Sequence, residues 1–370
     1  MVEYDVVIVG LGPAGAMLAR YLNAGSRVLV LDRKGEAGDA GKKPCGGLLA
    51  PDAQRVLSRF NLTLPKDVLV DPQIFSVKTI DLKSGLIRHY QRHYINMNRD
   101  RFDGWLASRI PPAVTVLSNA RCTRVKRTEG GFFVDYMAQG RSDTVFARYV
   151  VGADGASSVV RRSLYPAFQI RSYLSIQQWF EDTNPTPSYA CIFDPSATDS
   201  YCWSLTKDGS FLLGGAFPVA TAKRDFHRLK EKLTQYGYRF GTPLKTEACL
   251  VLRPCGPRNH CLGTDGAFLV GEAAGFISPS SLEGISYALE SGYLLAQCLN
   301  QGKIAPNLAY RRGTRKIRLR IFSKLLKSPF MYQPFLRRLV MGSGLTAITL
   351  AQEAEPTCVQ GAAEDTRRAV

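Results

Sequence analysis

Apolar residues follow two rhythms along this chain. Unbroken runs of four, Val6 to Val9 and Val28 to Leu31, read as strands buried on both faces of a parallel sheet. Tyr149-Val150-Val151-Gly152 and Ala267 to Val270 repeat that style much later. Elsewhere apolar and polar residues alternate, which marks strands with one buried face. Residues 68 to 96 are of this kind, with Phe75, Val77 and Ile80 as the apolar positions. So is most of 168 to 257, where one helix is expected near 222 to 235. Short strands are predicted at Val114 to Leu117, Cys122 to Val125 and Phe132 to Tyr136. Helical spacing predicts Pro13 to Leu22, a helix after Asp52 that buries Val56, Leu57 and Phe60, and one capped by Asn98. Further helices are expected from Ile285 through Leu299 and over 303 to 345.

The first apolar run ends in Gly10-Leu11-Gly12-Pro13-Ala14-Gly15, and the second ends at Asp32. Gly10 permits a tight turn, Gly12 lets the backbone approach a pyrophosphate, and Gly15 lets the next helix pack against the strand. The helix N-terminus presents its dipole to phosphates, and Asp32 is placed to accept hydrogen bonds from a ribose. Strand, glycines, helix, strand and acid together predict a dinucleotide site. The alternative is an ordinary glycine-rich strand-to-helix turn.

The interleaved styles predict an α/β chain with a discontinuous Rossmann-like domain at 1–67, 97–167 and 258–300. An antiparallel β-sheet substrate domain takes 68–96 and 168–257. A basic helical segment at 301–350 and a polar tail at 351–370 complete the chain. Apolar residues are 45% and charged residues 21%, as in ordinary globular proteins. No apolar run reaches 18 residues, and glycines break the first one, so neither a leader nor a membrane span is read and a cytoplasmic location is expected. Nine dispersed cysteines without a CxxC pair argue against disulfides and zinc. His89 and His93 have a spacing that suits a metal on a helix, but Tyr90, Tyr94 and Ile95 around them look strand-like, so no metal is expected.

Net charge is +17, and residues 303 to 352 hold 11 basic and no acidic residues, leaving 37 basic against 31 acidic elsewhere. Arg312, Lys316, Arg320 and Lys324 recur every four residues as one stripe, beside Ile317, Ile321, Phe322, Leu325 and Leu326. Peripheral contact with an anionic membrane through 303–338 is one reading, and a solvated helix packed on the first domain is the other. No nucleic-acid motif accompanies the charge.

Several further stretches resemble the geranylgeranyl reductase family of FAD-dependent oxidoreductases, which has the p-hydroxybenzoate hydroxylase fold. Besides the glycine turn these are Lys43-Pro44-Cys45-Gly46-Gly47, Arg99-Asp100-Arg101-Phe102-Asp103, Gly152-Ala153-Asp154-Gly155, Gly271-Glu272-Ala273-Ala274-Gly275 and Pro279 to Ile285. Tyr201-Cys202-Trp203-Ser204-Leu205-Thr206 is similar to the family's substrate-roof motif. The chain departs at Glu272 (Asp in the family), Leu282 (usually Gly) and Leu205-Thr206 (Phe-Pro). The last of these bears on the prenyl substrate more than on the cofactor.

The resemblance implies FAD held by Gly10, Gly12, Pro13, Ala14, Gly15, Asp32, Arg33, Cys45, Gly46, Gly47, Arg99, Cys122, Asp154, Gly271, Glu272, Gly275, Gly284 and Ile285. Tyr201 and Trp203 are the substrate candidates, and Cys45 is the catalytic candidate, as proton donor, ring-steering group or space filler. Bland readings stand beside these: Asp154 as a helix cap, Arg99 as a surface charge, Glu272 as a turn acid, and Tyr201 and Trp203 as sheet core. The implied activity is hydride transfer from reduced flavin to a carbon–carbon double bond of a hydrophobic, isoprenoid-like substrate, with NADPH as a transient reductant. A flavin-dependent monooxygenase or halogenase and a non-catalytic flavin-binding redox protein are the alternatives.

Overall fold

The structure, a computed structural model, describes residues 2–35, 43–183, 189–302 and 305–350. Most of the loop expected between Gly35 and Gly47, Lys303, and the tail 351–370 lie outside the described residues.

Two sheets organise the chain, with strands numbered in chain order. The first contains β1 (Glu3–Val9), β2 (Val28–Leu31), β6 (Thr115–Leu117), β7 (Ala120–Thr128), β8 (Gly131–Ala138), β9 (Arg141–Gly152) and β15 (Ala267–Leu269). Its spatial order is β6-β2-β1-β9-β8-β7. β6, β2, β1 and β9 run parallel. One edge of β9 pairs with β1, while its other edge pairs antiparallel with β8 over 141–147 and parallel with β15 over 150–152. The runs Val6 to Val9 and Val28 to Leu31 are buried, as their unbroken apolar character requires.

The second sheet contains β3 (Leu48–Leu49), β4 (Ile74–Asp81), β5 (Leu86–Asn96), β10 (Ser172–Glu181), β11 (Tyr189–Phe193), β12 (Cys202–Lys207), β13 (Ser210–Pro218), β14 (Lys245–Leu252) and β16 (Ala347–Ile348). Pairing is antiparallel except between β4 and β11. A parallel pair needs a long crossover, and the chain between 82 and 188 supplies it. One face of this sheet buries Ile80, Phe180, Phe211 and Phe217 under the helix α5 described below, through Phe226, Leu229 and Leu233. The other face turns toward the first domain.

The helices are α1 (Pro13–Tyr21), α2 (Pro51–Arg59), α3 (Arg99–Ala107), α4 (Val159–Leu164), α5 (Ala222–Thr234), α6 (Ile285–Asn300), α7 (Pro306–Gly313), α8 (Arg315–Tyr332) and α9 (Pro334–Gly342). Asn98 caps α3 by accepting from the N–H groups of Asp100 and Arg101 at 3.0 and 3.1 Å.

Three expectations are corrected. Phe75 is 67% exposed and Ile74 is buried in its place. A register irregularity between Ile74 and Ser76 shifts the strand's phase there, and a one-residue shift swaps faces. The basic stripe is not one surface: Arg312 belongs to α7, the helix breaks at Thr314, and Arg320 and Lys324 turn inward to Glu290 and to Asp52. The segment 301–350 is also not wholly helical, because β16 pairs with Tyr90 and His89 of β5.

α9 is tied to the second sheet by a buried ion pair, Arg337 Nη2 to Asp81 Oδ1 at 2.8 Å. Burial opposes the Asp81 charge, but Arg337 and Ser84 outweigh it and hold the carboxyl below its ordinary value. Removing one partner strands the other charge. Arg337→Met is expected to cost about 3 kcal/mol, read from the urea unfolding midpoint.

Candidate active site

The carboxyl ends of β1, β2 and β9 point at one cleft, the place where open α/β sheets bind ligands. Its volume is about 750 Å³, and the second sheet closes its far side. Gly10 turns out of β1 with φ +101°, and a Cβ there would lie 2.7 Å from the Ala153 carbonyl oxygen. Two loops therefore cross where only glycine fits. A Cβ on Gly15 would stand 2.0 Å from the Gly10 oxygen, so Gly15 serves packing. Gly12 differs: a Cβ there meets nothing within 4 Å, and its backbone (φ −84°, ψ −173°) suits any residue. Gly12 opens onto the cleft and leaves room for a ligand against the α1 N-terminus.

Asp32 ends β2 buried, accepting from the N–H groups of Leu11 and Lys34 at 3.2 Å each. Burial pushes its carboxyl up, against the pull of Lys34. Arg33 and Cys122 line the same end. Asp154 sits between the start of α4 and the cleft. Its Oδ2 accepts from Val159 N–H at 2.6 Å, while Oδ1 is buried without a partner and the residue lines the cleft. Ser158 is the cap of α4 proper.

Arg99 is no surface charge. Its Nε donates to Asp103 Oδ1 at 2.8 Å, and Lys34 bonds the other oxygen at 2.7 Å. Burial works against the Asp103 charge, but Arg99 and then Lys34 hold its carboxyl low. Glu272 is likewise more than a turn acid. Its Oε1 accepts from Leu252 N–H at 2.9 Å and its Oε2 pairs with Lys43, which reaches across from the Pro44-Cys45 loop. Burial opposes the Lys43 charge, yet Glu272 keeps the ammonium above its ordinary value. Gly271 and Gly275 do not line the cleft; both have positive φ and shape the turn that presents Glu272.

Cys45, Gly46 and Gly47 cross the middle of the cleft. Gly47 N–H donates to Cys45 Sγ at 3.4 Å. Lys207, buried at the end of β12, donates to Met97 O at 2.7 Å and Gly47 O at 3.3 Å, holding this loop from behind. Burial lowers the Lys207 ammonium to about 8. A Cβ on Gly46 would lie 3.6 Å from Trp203 Nε1, an indole nitrogen with no partner.

Beyond Gly46 the cleft becomes an aromatic chamber. Trp203 lies over its cross-strand neighbour Gly214, where a Cβ would meet the indole at 2.6 Å. Tyr201 packs 5.5 Å from Trp203 and donates to Ser281 O at 2.6 Å. Tyr94 from β5 and Tyr189 from β11 meet edge-on at 5.4 Å. The opposite wall is the turn Ser281-Leu282-Glu283-Gly284 that opens α6. Among the described residues no side chain caps that helix, and Gly284, Ile285 and Ser286 at its start line the cleft. Leu282, where the resemblance led to glycine, has φ +54°, a conformation costly for leucine.

Sequence reasoning assigned no role to Lys43, Tyr94, Tyr189, Lys207 or Glu283, although Lys43 and Glu283 lie in stretches it singled out. The available signal for Glu283 was its position as the one acid in the turn Pro279 to Ile285.

Known proteins match this geometry. The family model for lycopene cyclase proteins matches residues 5–177. Protein CbrA of Escherichia coli O6:H1 is 51% identical over 349 residues, covering 94% of this chain and 95% of that one. The chain belongs to the CbrA family. This CbrA-family chain shares its fold with a geranylgeranyl bacteriochlorophyll reductase-like protein from Thermoplasma acidophilum (TM-score 0.69, 21% identity, 94% of this chain and 88% of that one). It also shares it with PqsL of Pseudomonas aeruginosa, a probable FAD-dependent monooxygenase (TM-score 0.67, 18% identity, 93% and 99%). The fold is thus the p-hydroxybenzoate hydroxylase-like fold of flavin-dependent oxidoreductases.

Proposed function

We propose that this chain binds FAD in the cleft and reduces a carbon–carbon double bond of a hydrophobic, isoprenoid-like substrate. The open Gly12 surface, the unpartnered Asp154 Oδ1, the buried Asp32 and the uncapped α6 N-terminus fit the groups FAD carries: pyrophosphate, hydroxyls and a ring that becomes anionic. Bound and reduced, FAD supplies a hydride. The chain must hold the double bond, exclude water and deliver a proton.

Glu283 is the observation that carries the reductase reading. Among the described residues it is the one carboxyl on the wall of the aromatic chamber, and burial pushes it up to about 7. Lys324 of α8 and a Ser281 hydrogen bond pull it down, while Asp52 of α2 pushes it up. Tyr94, Tyr201 and Cys191 face it from the second sheet, all with their own protons held by burial. A carboxyl still protonated near neutral pH suits a general acid. The bond balance is simple: hydride adds to one carbon, the Glu283 proton to its neighbour, and the carboxylate regains a proton from solvent. Cys45 is the second candidate donor.

NADPH is the proposed transient reductant. The competing reading is a monooxygenase, as in the name of PqsL. Anaerobically reduced protein should be reoxidised by a polyprenyl substrate, with saturated product and two electrons consumed per bond. Oxygenated rather than saturated product on admitting air to the reduced protein would replace the reductase with the monooxygenase.

A further inference from the structure

Helix α8 is apolar on two opposite faces. Ile317 and Ile321 are buried against the first domain. On the other side Leu319, Phe322, Leu326 and Phe330 recur at three- and four-residue spacing and are 40–60% exposed. The exposure continues into α9 at Phe335 and Leu339. An amphipathic surface helix has one such face toward the core, so the second needs a partner of its own.

Its borders say which kind. At 3.6 residues per turn, Lys316 and Lys327 flank the outward stripe on one side and Arg318 on the other. Among the described residues, the acids that reach α8 are Glu290 of α6, Asp52 of α2 and Glu283 of the turn before α6, all toward its inward side at Arg320 and Lys324. An apolar stripe bordered by lysine and arginine matches the boundary between acyl chains and anionic headgroups. A second copy would set two basic borders against each other in a symmetric contact. The segment 351–370 offers only Val359 and Val370 as large apolar residues. We propose that the outward face of α8 docks this chain on an anionic lipid surface.

Docking bears on the chamber. Tyr332, at the end of α8, donates to Ser280 O at 2.5 Å. Rings pass from Tyr332 to Phe193 at 6.0 Å, to Tyr201 at 6.4 Å and to Trp203 at 5.5 Å. One continuous packed path joins the docked helix to the chamber wall.

The test is sedimentation of the full chain with vesicles, which needs no flavin turnover and so stands or falls apart from the reductase reading. Vesicles of phosphatidylcholine and phosphatidylglycerol in equal parts are expected to bind it, and pure phosphatidylcholine at least about tenfold more weakly. Lys316→Gln with Lys327→Gln should lower the partition constant on the order of twentyfold, and added salt should act in the same direction. Leu326→Asp should lower it at least about tenfold, with the thermal midpoint unchanged because the side chain is exposed. The salt dependence of binding by the unaltered protein decides the matter even if a variant misfolds. Absent binding, or equal binding to both vesicles, overturns the proposal. So does a dimer that Leu326→Asp dissociates without any vesicle binding, or binding that appears only when 351–370 is removed.

Discussion

Gly12→Val is expected to fold like the unaltered protein and to lose its flavin. A Cβ at Gly12 meets no protein atom within 4 Å, and its backbone angles are open to any residue. Folding therefore gains no clash and no strain. The valine side chain occupies the space into which α1 opens, where the pyrophosphate is proposed to lie. Binding there needs direct contact with backbone N–H groups, which valine would prevent. FAD affinity should fall about a hundredfold or more, equivalent to about 3 kcal/mol, with the thermal midpoint of the flavin-free protein unchanged. Titration of FAD fluorescence alongside a melting curve checks both halves. Gly15→Val is the contrast, because its Cβ would stand 2.0 Å from the Gly10 oxygen and the fold itself should fail. Equal FAD affinity in Gly12→Val would remove the cofactor from this end of the cleft.

Glu283→Gln carries the second large effect. Glutamine keeps the shape and the Ser281 neighbourhood but has no acid proton, so FAD binding and flavin reduction should persist. Substrate-driven reoxidation should drop about a hundredfold to ten-thousandfold, the range for losing a positioned general acid. The sign of the pH dependence follows from the raised carboxyl. Below about 7 Glu283 carries its proton, so the rate should be highest there and fall as pH rises through about 7. In Glu283→Gln that fall should vanish. Stability follows the same sign: because folding raises this carboxyl above its ordinary 4.5, the folded state loses stability as pH climbs from there toward about 7. Cys45→Ser separates the two candidate donors. If it flattens the profile and Glu283→Gln does not, the proton comes from the thiol.

Backbone requirements made half of this site legible. Gly10 needs a positive φ and a close crossing, Asp32 must end a buried strand, and Asn98 must cap a helix. Each depends on a few neighbouring residues, so local patterns expose it. The chamber was less legible because it is made by pairing between distant strands. Tyr94 and Tyr189 meet only because β5, β4 and β11 are neighbours in space. Lys43 reaches Glu272 across 229 residues. The elevated Glu283 carboxyl depends on walls from the second sheet, α2 and α8, none of which its turn specifies. Phe75 shows the same limit in small: one register irregularity turned a correct alternation onto the wrong face.

Leu282 stands where backbone demand and chamber wall meet. The turn at the α6 N-terminus holds a residue at φ +54°, and the sequence supplies leucine there. Leucine in that conformation costs roughly 1–2 kcal/mol, and its side chain faces the chamber beside Trp203. The turn therefore gives up backbone comfort for an apolar wall where the substrate is proposed to lie.

The most direct test is a spectroscopic titration of the purified, folded chain with FAD. One flavin per chain is expected, with a perturbed yellow absorbance spectrum and saturable binding. Folded protein that stays colourless and leaves the spectrum of added FAD unchanged at every concentration would contradict FAD binding in this cleft.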